Sequence, residues 1–180
     1  MTQEDSFISH LVELRDRLIK AILSVAVVFI VLFLYPGASV IYDLLAQPML
    51  ATLPPGTRMI ATGVITPFMV PVKVTMMAAF VIALPVVLYQ AWAFVAPGLY
   101  MHEKRVDMPL IVSSTLLFLM GMAFCYFFVF KTVFHFIATF APQSITPAPD
   151  IEAYLNFVMT MFLAFGLTFE VPIAVILLVQ

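Results

Sequence analysis

The run LIKAILSVAVVFIVLFLY, Leu18 to Tyr35, carries Lys20 as its only charge and stops at YPG, a helix terminator. Three further runs of similar character follow, near Val74–Val95, Pro109–Phe130 and Tyr154–Val179. Each is close to the roughly 20 apolar residues that one helix needs to cross a hydrocarbon core. With 64% hydrophobic and only 10% charged residues, no packing of 180 residues around a water-solvated core could hide the rest. The solvent is a bilayer, and in a bilayer every backbone polar group must be satisfied within its own segment, so the spans are helices. The expected fold is an all-α polytopic membrane protein. Its segments are an amphipathic amino-terminal helix (1–17), a first span (18–35), an outer loop (36–70) and a second span (71–97). A short loop (98–107), a third span (108–137), a second outer loop (138–152) and a fourth span (153–180) complete it. The first span exceeds the core of a signal peptide and follows an amphipathic segment of both charge signs, so it is expected to be retained.

Lys and Arg orient the chain. Arg15, Arg17, Lys20, Lys104 and Arg105 fall on one side; Arg58, Lys73 and Lys131 fall on the other, spread over a longer loop and span ends. The bias predicts a cytoplasmic amino terminus, a cytoplasmic 98–107 loop and two outward proline-rich loops. Tyr89, Trp92 and Tyr100 near the inner end of span two fit an aromatic belt. Pro71, Pro85 and Pro172 lie in or at the edges of spans and predict kinked helices packed into a concave, cupped arrangement.

Three carboxylates stand out. In SHLVELRDRLIK, His10, Glu13 and Arg17 share one helical face and Leu11, Leu14 and Leu18 another, the pattern of a helix lying against a membrane before turning into a span. Glu13 is either an i,i+4 partner of Arg17 or a carboxylate held at the inner surface for a cationic ligand. Glu103, in APGLYMHEKR, is either a solvated loop acid offsetting Lys104 and Arg105 or the second half of such a site. Two glutamates on separate elements suit two guanidinium groups, which carboxylates bind in a planar, bidentate way. Glu170, in FGLTFEVPIAVILLVQ, lies about 24 Å into the fourth span at 1.5 Å per residue. An acid there calls for a partner, a cavity or a proton path.

Other classes find no support. A net charge of −2 without a basic patch argues against nucleic acid. His10, His102 and His135 show no metal-ligand spacing, and no HExxH, GxSxG, Walker or dinucleotide motif is present, so neither an enzyme, a metal site nor a cofactor is expected. Cys125, the single cysteine, excludes an intrachain disulfide and reads as core filler. A small proton-coupled transporter or channel using Glu170 is the alternative from another class. For a relay its spans offer Asn156, Thr160, Ser113, Ser114 and Thr115 but no second acid at depth. A purely structural scaffold would leave Glu13 and Glu103 dispensable.

The stretches HLVELRDRL, MIATGVITPF, PVVLYQAWAFVAPGLYMHEKR, SSTLLFLMGMAFCYFFVF and DIEAYLNFVMTMFLAFGLTFEVPIAVILL cover nearly the whole chain. In that order they resemble TatC, the multi-spanning subunit of the twin-arginine protein translocase. The resemblance implies a receptor for twin-arginine signal peptides of folded cargo, in a proton-motive-force-driven translocase of the bacterial cytoplasmic membrane. It implies that Glu13, Glu103, Phe94 and Arg17 take part in signal-peptide binding. Glu170 would contact the single-span TatA and TatB subunits, and Asp150 would have a structural role. Lipid and further copies of the chain, in a receptor complex, are the other implied partners. Family members have six spans; this chain reaches Gln180 at the end of the fourth, so the last two spans are expected to be missing from it.

Overall fold

A computed structural model describes residues 3–95 and 107–179. Glu103, with Tyr100, His102, Lys104 and Arg105, lies outside the described residues. The described residues form seven α-helices: α1 (Gln3–Leu34), α2 (Ala38–Leu50), α3 (Thr66–Ile82), α4 (Leu84–Val95), α5 (Asp107–Phe124), α6 (Phe130–Phe140) and α7 (Ile151–Val179). A π-turn, Cys125–Val129, joins α5 to α6 without interrupting the rod. Three stretches are long and apolar enough to cross a membrane alone: Phe7–Leu34, Met108–Phe140 and Ile151–Val179. The pair α3–α4 makes a fourth if counted as one bent span.

Local chemistry accounts for the breaks. Nothing between Gln3 and Leu34 is glycine or proline, so the amino-terminal segment does not turn into the first span as its amphipathic pattern suggested. It is one unbroken helix, about 48 Å long at 1.5 Å per residue and longer than the hydrocarbon core. It ends at Tyr35–Pro36–Gly37, where Gly37 adopts φ +99°, a backbone conformation open to a residue without a Cβ. The chain then forms α2, a helix inside what the sequence suggested was loop. The second span bends by 62° at Ala83. Pro85 lacks the N–H that would bond the Val81 carbonyl, and its ring crowds that carbonyl, so the helix closes at Ala83 (φ −80°, ψ 0°) and restarts. Pro71 and Pro172 are absorbed inside α3 and α7.

The core gathers Val70 and Val74 of α3, Leu45 of α2, Cys125, Phe130 and Phe134 of the third rod, and Tyr154, Leu155, Val158 and Phe162 of α7. The third rod and α7 pack very closely. A Cβ on Gly121 would stand 2.6 Å from the Phe165 carbonyl oxygen, and one on Gly166 would stand 2.5 Å from the Phe118 ring. Small residues that let two backbones approach are the usual basis of helix association in lipid. At the end of the bundle away from the α1–α4 crossing, one backbone bridge joins the two connecting loops: Ile60 N–H donates to Pro149 O and Ile151 N–H to Ile60 O, both at 2.9 Å. The other face of α1 leaves Ile22, Leu23, Ile30 and Val31 exposed, as a lipid-facing helix should.

Candidate signal-binding face and the buried glutamate

The amino-terminal half of α1 crosses the carboxy-terminal half of α4, and the functional candidates meet there. On α1, three- and four-residue spacing puts His10, Glu13 and Arg17 on one face. On α4, Gln90 and Phe94 are likewise four apart. His10 stacks on Phe94 with ring centroids 4.5 Å apart and planes inclined by 19°. Arg17 donates to Glu13 Oε1 at 2.7–2.8 Å and, at a long 3.5 Å, to the Gln90 side-chain carbonyl. His10 Nδ1 stands 4.0 Å from Glu13 Oε2. Glu13 keeps 39% of its side chain exposed and Arg17 26%. An ion pair this open is worth about 0.3–0.5 kcal/mol within a helix, so an incoming guanidinium can displace Arg17 from the carboxylate at little cost. The face therefore brings together Glu13, Arg17 and Phe94. Glu103 falls outside the described residues, in the segment that leads from α4 to α5.

Glu170 belongs to a separate site. It lies nine residues before the end of α7, about 14 Å below that end. It is buried, at 7% exposure. Ser114 of α5 donates its hydroxyl to Glu170 Oε2, and Trp92 Nε1–H of α4 donates to Ser114 Oγ at 2.9 Å. Three helices are thus joined by a chain of donors running from indole to hydroxyl to carboxyl. The other carboxyl oxygen, Oε1, is buried and takes no hydrogen bond among the described residues, as does Thr115 Oγ1 nearby in sequence. A buried oxygen without a partner costs about 1–3 kcal/mol. Trp92, expected in an aromatic belt, instead turns its N–H inward.

His10, Gln90 and Trp92 were not singled out as site residues by sequence reasoning, and Ser114 entered only as one of several polar groups for a relay. For Gln90 the signal existed in its four-residue spacing from Phe94; for Trp92 it lay in an N–H that must find a partner in apolar surroundings. Of the relay candidates, Ser114 does meet Glu170, whereas Thr160 donates to Asn156 O within its own helix at 2.8 Å. Among the described residues no three His, Cys, Asp or Glu side chains come together as a metal site.

Asp150 sits just before the first residue of α7. Its carboxylate accepts from the Thr62 and Ala153 backbone N–H groups, both at 3.1 Å, and from the Thr62 hydroxyl at 3.0 Å. These bonds, led by Ala153, lower its pKa from the ordinary 3.8. It caps α7 and fastens the loop between α2 and α3 to it. Beside it, Lys73 of α3 pairs with Glu152 at 3.2 Å.

Comparison with known proteins identifies the family of the chain and its fold. Residues 9–180 match the family described as Sec-independent protein translocase protein (TatC). The Sec-independent protein translocase protein TatC of Escherichia coli O6:H1 is 50% identical over 180 residues, which are 99% of this chain and 69% of that one. That of Campylobacter jejuni is 38% identical over 91% of this chain and 67% of its own. A crystal structure of the twin-arginine translocase receptor TatC superposes with a TM-score of 0.81 at 36% identity, covering 94% of this chain and 74% of that one. The chain belongs to the TatC family: it is a multi-pass membrane component of a protein translocase, a transport protein and not an enzyme.

Proposed function

We propose that the chain is the twin-arginine signal-peptide receptor of its translocase, with Glu13, Arg17 and Phe94 on the binding face and Glu103 joining them from the inner loop. The observation that carries this reading is the α1–α4 crossing. There a partly exposed carboxylate, held by a displaceable arginine of its own helix with His10 at 4.0 Å, stands beside the aromatic ring that His10 stacks on. A first ligand arginine takes the place of Arg17 on Glu13; a second is met by Glu103; the apolar stretch of the signal follows into the membrane. The same side is then cytoplasmic, which agrees with the Lys and Arg bias, and the membrane is the bacterial inner membrane. Glu170 serves the single-span TatA and TatB subunits: a partner donor satisfies Oε1, and because that oxygen is buried its side chain turns outward to meet it. Proton-motive force and further copies of the chain complete the assembly. Glu170 as a proton carrier finds less support, since the sequences of the spans offer no second acid at depth for a relay.

The test is binding of a labelled twin-arginine signal peptide to the chain in nanodiscs, against the same peptide with both arginines changed to lysine. Charge-assisted pairs contribute about 1.5–3 kcal/mol, so Glu13→Ala and Glu103→Ala should each weaken arginine-dependent binding by roughly 10- to 100-fold. Equal binding of both peptides would remove the receptor reading.

A further inference from the structure

A different surface, at the opposite end of the bundle from the α1–α4 crossing, carries two adjoining hollows. Between α2 and the π-turn with α6 lies a hollow of about 430 Å³, bordered by Gln47, Thr52, Lys131 and His135. Lys131 and His135 are one helical turn apart, and among the described residues no acid lines this hollow. Lys131 has no carboxylate within ion-pair distance among the described residues. Tyr126 and Phe127 form its inner wall, and the same two rings border a second, almost wholly apolar hollow of about 330 Å³. That second hollow is lined by Ile41, Leu44 and Leu45 of α2 and Val74 and Met77 of α3. A cationic, donor-bearing pocket thus opens directly onto an apolar groove.

The π-turn sets up this shape. Its extra residue per turn widens the helix at Cys125–Val129 and presents the neighbouring side chains Tyr126 and Phe127 to the same wall. The Tyr126 hydroxyl donates to the Leu44 carbonyl at 3.0 Å, tying the turn to α2 and holding the two hollows side by side. Depth agrees with the polarity. Lys131 lies about 36 Å along the α5–α6 rod from Asp107 at 1.5 Å per residue, beyond a hydrocarbon core of about 30 Å and level with headgroups.

We infer that this paired hollow is a binding site for a glycerophospholipid of the outward leaflet, its phosphate on Lys131, Gln47 and His135 and an acyl chain laid between α2, α3 and the π-turn. Charge complementarity selects the occupant: a phosphodiester matches an unpaired ammonium with two further donor side chains, and the adjoining groove demands a tail that a soluble phosphate lacks. The site is independent of the receptor reading, for it shares no residue with the α1–α4 face.

The experiment uses the chain in phosphatidylethanolamine nanodiscs containing a phosphatidylglycerol with a photoactivatable diazirine in one acyl chain. After irradiation and digestion, adducts should concentrate on the peptide bearing Tyr126 and Phe127 and on α2 at Leu44. Labelling there should exceed that of the lipid-facing stretch around Ile22 and Leu23 several-fold. Lys131→Glu should abolish that excess while leaving the α1 labelling unchanged, which also reports that the variant is folded; Lys131→Gln, the milder change, should reduce it. Labelling equal to that of α1 and indifferent to both substitutions would show ordinary boundary lipid and overturn the proposal. Loss of the excess when millimolar glycerol 3-phosphate is added would show a site for a soluble phosphate ester and overturn it equally.

Discussion

Glu170 shows how much one side chain can organise in a low-dielectric interior. Its partner Ser114 holds two hydrogen bonds, accepting from Trp92 and donating to the carboxyl, so the serine is the joint of the chain. Ser114→Ala leaves both the indole N–H and Oε2 without a partner, whereas Trp92→Phe removes one donor and keeps the Ser114–Glu170 bond. An orphaned buried group costs about 1–3 kcal/mol and a simple lost bond about 0.5–1.5. Ser114→Ala should therefore destabilise the detergent-solubilised protein more than Trp92→Phe, by roughly 1 kcal/mol or more, as measured by circular dichroism during denaturant unfolding. The reverse order would mean that the indole holds α4 by packing and not through the hydroxyl. The acid itself was legible in the sequence, because a carboxylate amid apolar residues is conspicuous. Its pairing was not, although Ser114 stood among the polar groups offered for a relay: Ser114 lies 56 residues away and Trp92 78, and which helix faces which is a tertiary fact that spacing within one helix cannot supply.

At the scale of elements, two devices fasten the helices, and they respond to different perturbations. Gly121 works by absence. A methyl group there meets the Phe165 carbonyl of α7, a backbone atom that moves only if the helix moves. Gly121→Ala should push α5 from α7 and cost about 1–3 kcal/mol, the range for overpacked sites, seen as a lowered unfolding midpoint; an unchanged midpoint would show that the two helices slide freely. Asp150 works by charge. Its folded pKa is depressed by backbone donors, chiefly Ala153. Protons thus bind the unfolded chain more tightly, and the stabilisation is fully present above the ordinary carboxylate value of 3.8 and is lost as pH falls through the lower folded value. A plot of melting temperature against pH should drop below about pH 4 in the parent and be flatter there in Asp150→Asn, which should also melt lower at neutral pH. The helices of the spans were readable from apolar run length alone. Helix α2 was not, since Ala38–Leu50 is shorter than a span and lies between YPG and a proline-rich stretch that reads as loop. The π-turn was equally hidden, for nothing in CYFFV separates it from continuing α-helix.

Across the whole molecule, the bend at Ala83 decides which surfaces can meet. A straight second span would carry Gln90 and Phe94 along the axis of α3, whereas the 62° turn lays α4 across the amino-terminal part of α1. Only then do His10 and Phe94 stack and Arg17 reach Gln90. The sequence announced a kink through Pro85 but not its direction, which depends on how α4 buries Leu84 and Ala93 and on the Trp92 bond to α5. Since Pro85 breaks the helix by withholding an N–H from Val81 and by crowding its carbonyl, Pro85→Ala restores both the donor and the space. The gain of a continuous helix then competes with the contacts holding α4 on α1, among them a hydrogen bond at the limiting distance of 3.5 Å. The expected result is a straighter second span and a looser crossing. Spin labels at His10→Cys and Phe94→Cys, with the buried Cys125 replaced by serine, should show strong dipolar broadening in the otherwise unaltered chain and markedly weaker broadening once Pro85→Ala is added. Arginine-dependent peptide binding should weaken in the same variant even though Glu13, Arg17 and Phe94 remain. Undiminished broadening would locate the cause of the bend in the packing of α4 against α5, and Trp92→Phe would then be the substitution that opens the crossing.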